Sequence, residues 1–516
     1  MDEKIKLIDK FYGGIVRDDR SKLPGAAYNV EELDIYSNAD FMQPEQIFSA
    51  DALPASTEAY AYASDNADQV WIYGKQTSDS AVRLMKVTSA GDDNPGAIST
   101  VFTSADTTDV AYSKSPLAYH RRDDGTQNFL YYMTNASGTV KLKAYDISGA
   151  SESETDTGAT AMTLTKLDAS FDRTFIKPIY SDLMIGNGQY ITKVDKDGVF
   201  TEDAFTLPNG WEAVDIVPVS DVAIILARSI NRNANFCKGF WWDLTTSAQF
   251  DDAFDIPFGG PQWIQNHKET IKIMCAIGGR ARFYQLSGAF PGAIPIELPS
   301  MTLSNIAAET ATQNISAPKM VTVKDNLLFF GIYKTDKTGM YAIGQLDSDK
   351  PQALSLSKRF HTSDYSLHKP TGIHTHGPNF FAAFDDNGTA STARCETNNS
   401  PTRSSNAVYE SVAIDDGNPA LEKAVPQIYV TAKPLAASTA VALSTESDYS
   451  GSYTAATRAD GTSLNTTSAI QGEFNTNLAG IKTVRVKLTF TSSGTSAPKV
   501  TGIGVRVKVK RVPASK

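Results

Sequence analysis

Four of the six histidines, His361, His368, His374 and His376, fall close together. His374 and His376 stand two apart in a stretch that reads as a strand, so they share one face, which is ligand geometry for a metal ion. No cysteine or carboxylate stands at ligand spacing beside them. Asp364 and Asp385 could join only if the fold brought them in. The histidines are therefore read as structural or surface groups, and neither a metal nor a cofactor is assigned.

"VDKDGVF" sets Asp195, Asp197 and Gly198 in a row that matches half of a calcium loop. The further acidic ligands and the closing Glu are absent, so a hairpin turn is expected. Turns are expected as well at Asp385-Asp386-Asn387-Gly388 and Asp415-Asp416-Gly417. The doublets Asp123-Asp124 and Asp251-Asp252 raise the idea of glycosidase acids, but neighbours on a strand point to opposite faces. No GxSxG elbow, P-loop, HExxH or dinucleotide fingerprint occurs. Trp241-Trp242 in "GFWWDL" is the densest aromatic cluster, with one ring expected on each side of its strand. The closing "GVRVKVKRV" alternates Val505, Val507 and Val509 with Arg506, Lys508 and Lys510 and ends on Arg511. One face of this last strand is thus basic, and it is read as a solvated edge or a docking face.

The elements that must position these groups follow from one recurring phrase: a polar turn, a short run of large apolar residues, then a partner strand. It occurs as "ADQVWIYG", "TQNFLYYM", "YSDLMIGNGQYITKV", "SDVAIILA", "KETIKIMCAIGG", "KDNLLFFGIY" and "GPNFFAAFD", on average about every 51 residues. That is the dimension of a propeller blade. The reading is an all-β chain with a β-propeller of six to eight blades, seven favoured, over 45–400. Two stacked β-sandwiches are the alternative. Short alternating strands such as "KTVRVKLTF" then predict a jelly-roll-like β-sandwich over 401–516, with Val484, Val486, Leu488 and Phe490 inward and Arg485 and Lys487 outward.

Residues 1–44 read as an extended arm. "FYGGIVRDDRSKLPGAAYNVEELDI" spreads apolar groups between Gly-Gly and Pro-Gly without a period, so they need a surface to lie on. The arm is expected to order across its own propeller or a neighbouring subunit, and its deletion (1–35) to spare the propeller while blocking assembly. The expected assembly contacts are Phe11, Tyr12, Ile15 and Val16 with Arg506, Lys508, Lys510 and Arg511. A net charge of −10 argues against attraction of the whole surface to nucleic acid. Cys237, Cys275 and Cys395 are too scattered for a disulfide framework and read as buried free thiols. No signal segment and no run of about 18 apolar residues is found, so no membrane span is expected.

"PIYSDLMIGNGQYITKVDKDGVF" followed by "WEAVDIVPVSDVAIILARS" resembles the propeller part of structural proteins from tailed-bacteriophage virions. The opening arm, "DDGNPALEKAVPQIYVTAKPLAASTAVALS" and "SAPKVTGIGVRVKV" share that likeness. The resemblance implies a virion component of the tail or head–tail connection, a ring, nozzle, hub or fibre element made in the host cytoplasm. Its partners would be copies of itself and other virion proteins, with DNA contact only as transit through a nearby channel. On this reading the chain is not an enzyme. A receptor- or glycan-binding virion module that meets a host-surface receptor is the alternative. A propeller glycoside hydrolase or lyase would need carboxylates converging at the central channel.

Overall fold

The computed structural model describes residues 2–509 except for a set of segments, the longest being 16–25, 105–115, 156–173, 359–367 and 387–393. The described residues form strands and contain no α-helix, and so no helix long and apolar enough to cross a membrane. The chain divides into two compact units. One comprises Ser49–Met340 with Phe360–Asn399, the other Met1–Phe48 with Tyr341–Arg359 and Ser400–Lys516.

The first unit is a succession of antiparallel meanders. Four-stranded sheets start with Thr57–Ser64, Leu117–Arg121, Thr174–Ile179 and Trp211–Val219, and a five-stranded sheet starts with Pro261–His267. The hairpin Val321–Lys324 and Leu327–Ile332 follows. The series ends with a four-stranded sheet that starts at His368–His376. The recurring apolar phrase falls on the second strand of each. Those strands are apolar on both faces because each sheet is covered on both sides. In the sheet built on Val222–Ser229, Ile224, Leu226 and Trp241 pack with Ile264, Ile273 and Tyr284 of the next sheet. Ala223, Ile225 and Trp242 pack with Phe175, Met184 and Ile191 of the sheet before. Each such side chain stabilises the unit by roughly 1.5–3 kcal/mol on burial.

Several of the described turns between first and second strands use left-handed backbone, which matches the twist of a tight hairpin. Asp68, Tyr180 and Ser220 have φ near 55°, and the pairs Lys268-Glu269 and Asp325-Asn326 are both positive. First strands of successive sheets touch one another in chain order, and His368–His376 returns to Thr57–Ser64. The final sheet runs His368–His376, Asn379–Asp386, Arg394–Thr397, Ser49–Asp51, so a strand preceding the first sheet completes the last. This closed circle is a β-propeller, and it removes the stacked-sandwich alternative. Asp385 and Asp386, expected in a turn, instead continue the Asn379–Asp386 strand.

The second unit holds two sheets around one apolar cluster, the first antiparallel and the second mixed. One sheet is ordered Asp2–Ile8, Val500–Val509, Lys423–Ala432, Gln471–Ile481. The other contains Ala26–Glu31, Val408–Ser411, Val484–Thr491 and Ala440–Ser447 in that order. Ile428, Val430, Phe474, Ile503 and Val505 from the first meet Val30, Tyr409, Leu443, Val486 and Leu488 from the second. Val484, Val486, Leu488 and Phe490 point inward as the alternation requires, while Arg485 and Lys487 pair with Glu446 and Glu410 at 2.9 and 3.2 Å.

Candidate functional site

In the propeller unit the end of a first strand repeatedly reaches the first hairpin turn of the following sheet. His120 Nε2 donates to the Ser181 carbonyl at 3.0 Å and His267 Nε2 to the Asn326 carbonyl at 2.7 Å. Tyr180 donates to the Ser220 carbonyl and Lys324 to the Pro378 carbonyl. Burial pushes the His267 imidazole below its ordinary pKa, which keeps the ring neutral. Deeper in the ring, Asp215 joins three sheets. Its Oδ1 takes Lys177 Nζ at 2.7 Å and the Ile216 N–H at 2.8 Å, while Oδ2 takes the Ile264 N–H at 2.9 Å.

The closing junction is built differently, from side chains at both ends. Ser64 ends its strand, and Asp68 sits in the turn that follows. His374 and His376 share one face of the last sheet's first strand, as their spacing requires. Ser64 Oγ lies 2.5 Å from His374 Nε2 and 2.9 Å from His376 Nδ1. His376 Nε2 lies 2.8 Å from Asp68 Oδ1. That carboxylate oxygen also accepts the Gly91 N–H at 2.9 Å, and a Cβ at position 91 would stand 2.7 Å from it, so a side chain there would displace the Asp68 carboxylate. Tyr62 stacks on His374 with centroids 6.3 Å apart. Asn379 Nδ2 donates to the Ala90 and Asp92 carbonyls at 2.9 and 2.7 Å, which ties the last sheet to the same loop. Burial, with a smaller contribution from His376, lowers the His374 pKa to about 4. Asp65, Asn66 and Ala67 of the Ser64 turn also line a cavity of about 250 Å³ with Tyr119, Arg121 and Asn128.

Of the residues singled out by sequence, the two histidines thus converge on a hydroxyl. Among the described residues no group of three His, Cys, Asp or Glu could hold a metal. His361, Asp364 and the side chains of His368 and Asp385 lie outside the described residues. Asp195 caps a hairpin turn, its Oδ1 accepting the Asp197 and Val199 N–H groups at 3.0 and 2.8 Å. Trp241 and Trp242 do face opposite sides, but both are buried between sheets and out of reach of a sugar. Cys237 and Cys275 are buried thiols outside any disulfide, and the Cys395 side chain lies outside the described residues.

The arm corrects several expectations. Phe11 is buried in its own unit, edge-on to Tyr409 at 5.5 Å, and so is no intermolecular contact. Ile15 is partly buried against the same cluster. Tyr12, Val16, Lys510 and Arg511 lie outside the described residues. The last strand is not an edge, because Asp2–Ile8 pairs along it. Glu3 of that strand holds Arg506 and lies 3.7 Å from Lys508. Val30, Leu33 and Ile35 belong to the unit's core, so deleting 1–35 would strip that core. Ser64 and Asp68 went unmarked in the sequence. The only signal is the polar turn "SDNAD" ahead of the recurring phrase.

No family model and no curated protein matches the chain. Similar solved structures include the β-propeller domain of the Trilobed protease from Pyrococcus furiosus, with 10% identity over 66% of this chain and 95% of that one and a TM-score of 0.39. A glycoside hydrolase family 43 arabinoxylan arabinofuranohydrolase from Bacillus subtilis shares 9% identity over 88% of this chain and 96% of that one, at 0.28. A further glycoside hydrolase shares 10% over 88% and 99%, also at 0.28. These hydrolases overturn the expectation that the chain is not an enzyme, since the solved structures it resembles include enzymes. With TM-scores below 0.5 they transfer neither a site nor a substrate to it.

Proposed function

We propose that the chain is a structural component of a tailed-bacteriophage virion, in the tail or at the head–tail connection, where it joins copies of itself and other virion proteins in a symmetric ring or hub. In this reading the first unit is a seven-bladed propeller and the second a jelly-roll-like β-sandwich. The observation that carries it is the strand Asp2–Ile8. It is the terminal strand of its sheet, and it bears Ile5 and Leu7, each 64% exposed. A terminal strand with large apolar side chains can accept a further strand, which adds main-chain hydrogen bonds and apolar burial together.

Quantitative mass spectrometry of purified particles tests the proposal. Roughly a dozen copies or fewer against the major shell protein fit a tail or connector ring. Hundreds of copies would make it a shell decoration, and absence from particles would overturn the reading. The double variant Ile5→Asp with Leu7→Asp is expected to keep the wild-type circular dichroism and melting temperature yet fail to enter particles.

A further inference from the structure

We propose that Ser64 is a nucleophile, activated by His376 and Asp68, that takes the acyl group of a carboxylic ester. This goes beyond the assembly reading and does not depend on it.

Hydrogen-bond accounting sets the direction of every proton in the cluster. The Asp68 carboxylate can only accept, so His376 Nε2 carries the hydrogen between them. In the neutral ring Nδ1 then holds a lone pair, and the Ser64 hydroxyl donates to it. The remaining lone pairs of Ser64 Oγ accept from His374 Nε2–H. Serine donating to an imidazole that a carboxylate orients is the arrangement general-base activation needs. Its geometry is fixed by the fold: Gly91 N–H holds Asp68, whose left-handed backbone aims the side chain across the junction. His374 remains a neutral donor near pH 7, since its pKa lies far below.

A plain structural hook does not need this chemistry. Where His120 and His267 reach the next sheet, they end on main-chain carbonyls that have no proton to lose. Only at the closing junction, among the described residues, does a histidine hook end on both a hydroxyl and a carboxylate. An ester suits the site because an alkoxide leaves more readily than an amine anion.

In the first step Ser64 Oγ bonds to the carbonyl carbon, and its proton passes to His376 Nδ1. The imidazolium is stabilised by Asp68. The C–O bond to the alcohol breaks, and the departing alkoxide takes that proton. Water then attacks the acyl-serine, gives a proton to His376 Nδ1, and leaves as the carboxylic acid while Ser64 regains its hydrogen.

The test is labelling of the full-length protein with a fluorophosphonate, in which Ser64 Oγ bonds to phosphorus and fluoride leaves, followed by peptide mapping. One adduct at Ser64 is expected, absent in Ser64→Ala, with the labelling rate at least about 100-fold lower in His376→Asn. His267→Gln loosens a different junction of the propeller without touching the relay and is expected to label at nearly the wild-type rate. Absence of an adduct on the folded wild-type protein would overturn the proposal. So would an unchanged rate in His376→Asn, or an equal loss in His267→Gln.

Discussion

Asp215 is fully buried, and three donors, one from its own sheet and one from each neighbouring sheet, satisfy it. Burial pushes its carboxyl pKa up, opposed by Lys177 and the two N–H groups. Removing one partner of such a pair leaves an uncompensated buried charge. Lys177→Met is therefore expected to cost about 3–5 kcal/mol in urea unfolding. Combining it with Asp215→Asn should restore much of that loss. His374 gives a pH signature of its own. It packs against Ser64, His376 and Tyr62, with Asp68 behind His376. Its folded pKa of about 4 lies below the ordinary 6.5. The stability it contributes is present above pH 6.5 and lost as pH falls toward 4, up to about 3 kcal/mol. Unfolding free energies measured across that window should show the decline, and His374→Gln should flatten it.

At the scale of elements, the closing junction depends on how near its strands approach. A Cβ on Gly372 would lie 2.8 Å from the Tyr60 carbonyl, which is backbone and cannot swing aside. Gly372→Ala should thus destabilise the propeller by about 1–3 kcal/mol, seen as a lower denaturant midpoint. Such strands were legible in the sequence because burial on both faces leaves an uninterrupted apolar run such as "VAIILA", and the polar turn before it marks the hairpin. Partnership between distant strands was not legible. "GVRVKVKRV" announces one apolar and one charged face, but nothing in it says that Asp2–Ile8 will pair alongside. The apolar groups of the arm show that it must be covered, not that Ala26–Glu31 enters a sheet beside Val408–Ser411. Ser64 and His376 meet only through the closing of the circle, which is why the pair of histidines suggested a metal and the serine suggested nothing.

At the scale of the whole propeller, similar contacts between successive sheets follow one another in order, and the closing one differs from the rest among the described residues. The closing sheet takes its outer strand, Ser49–Asp51, from the opposite end of the propeller, in register with Arg394–Thr397. During synthesis the ribosome must deliver about 340 residues between these two segments before they can pair. Until then the nascent chain carries finished blades beside an unsealed gap. Two chains growing on one messenger could exchange their sealing strands at that stage, so slow translation ahead of Arg394 would favour interlocked dimers over single rings.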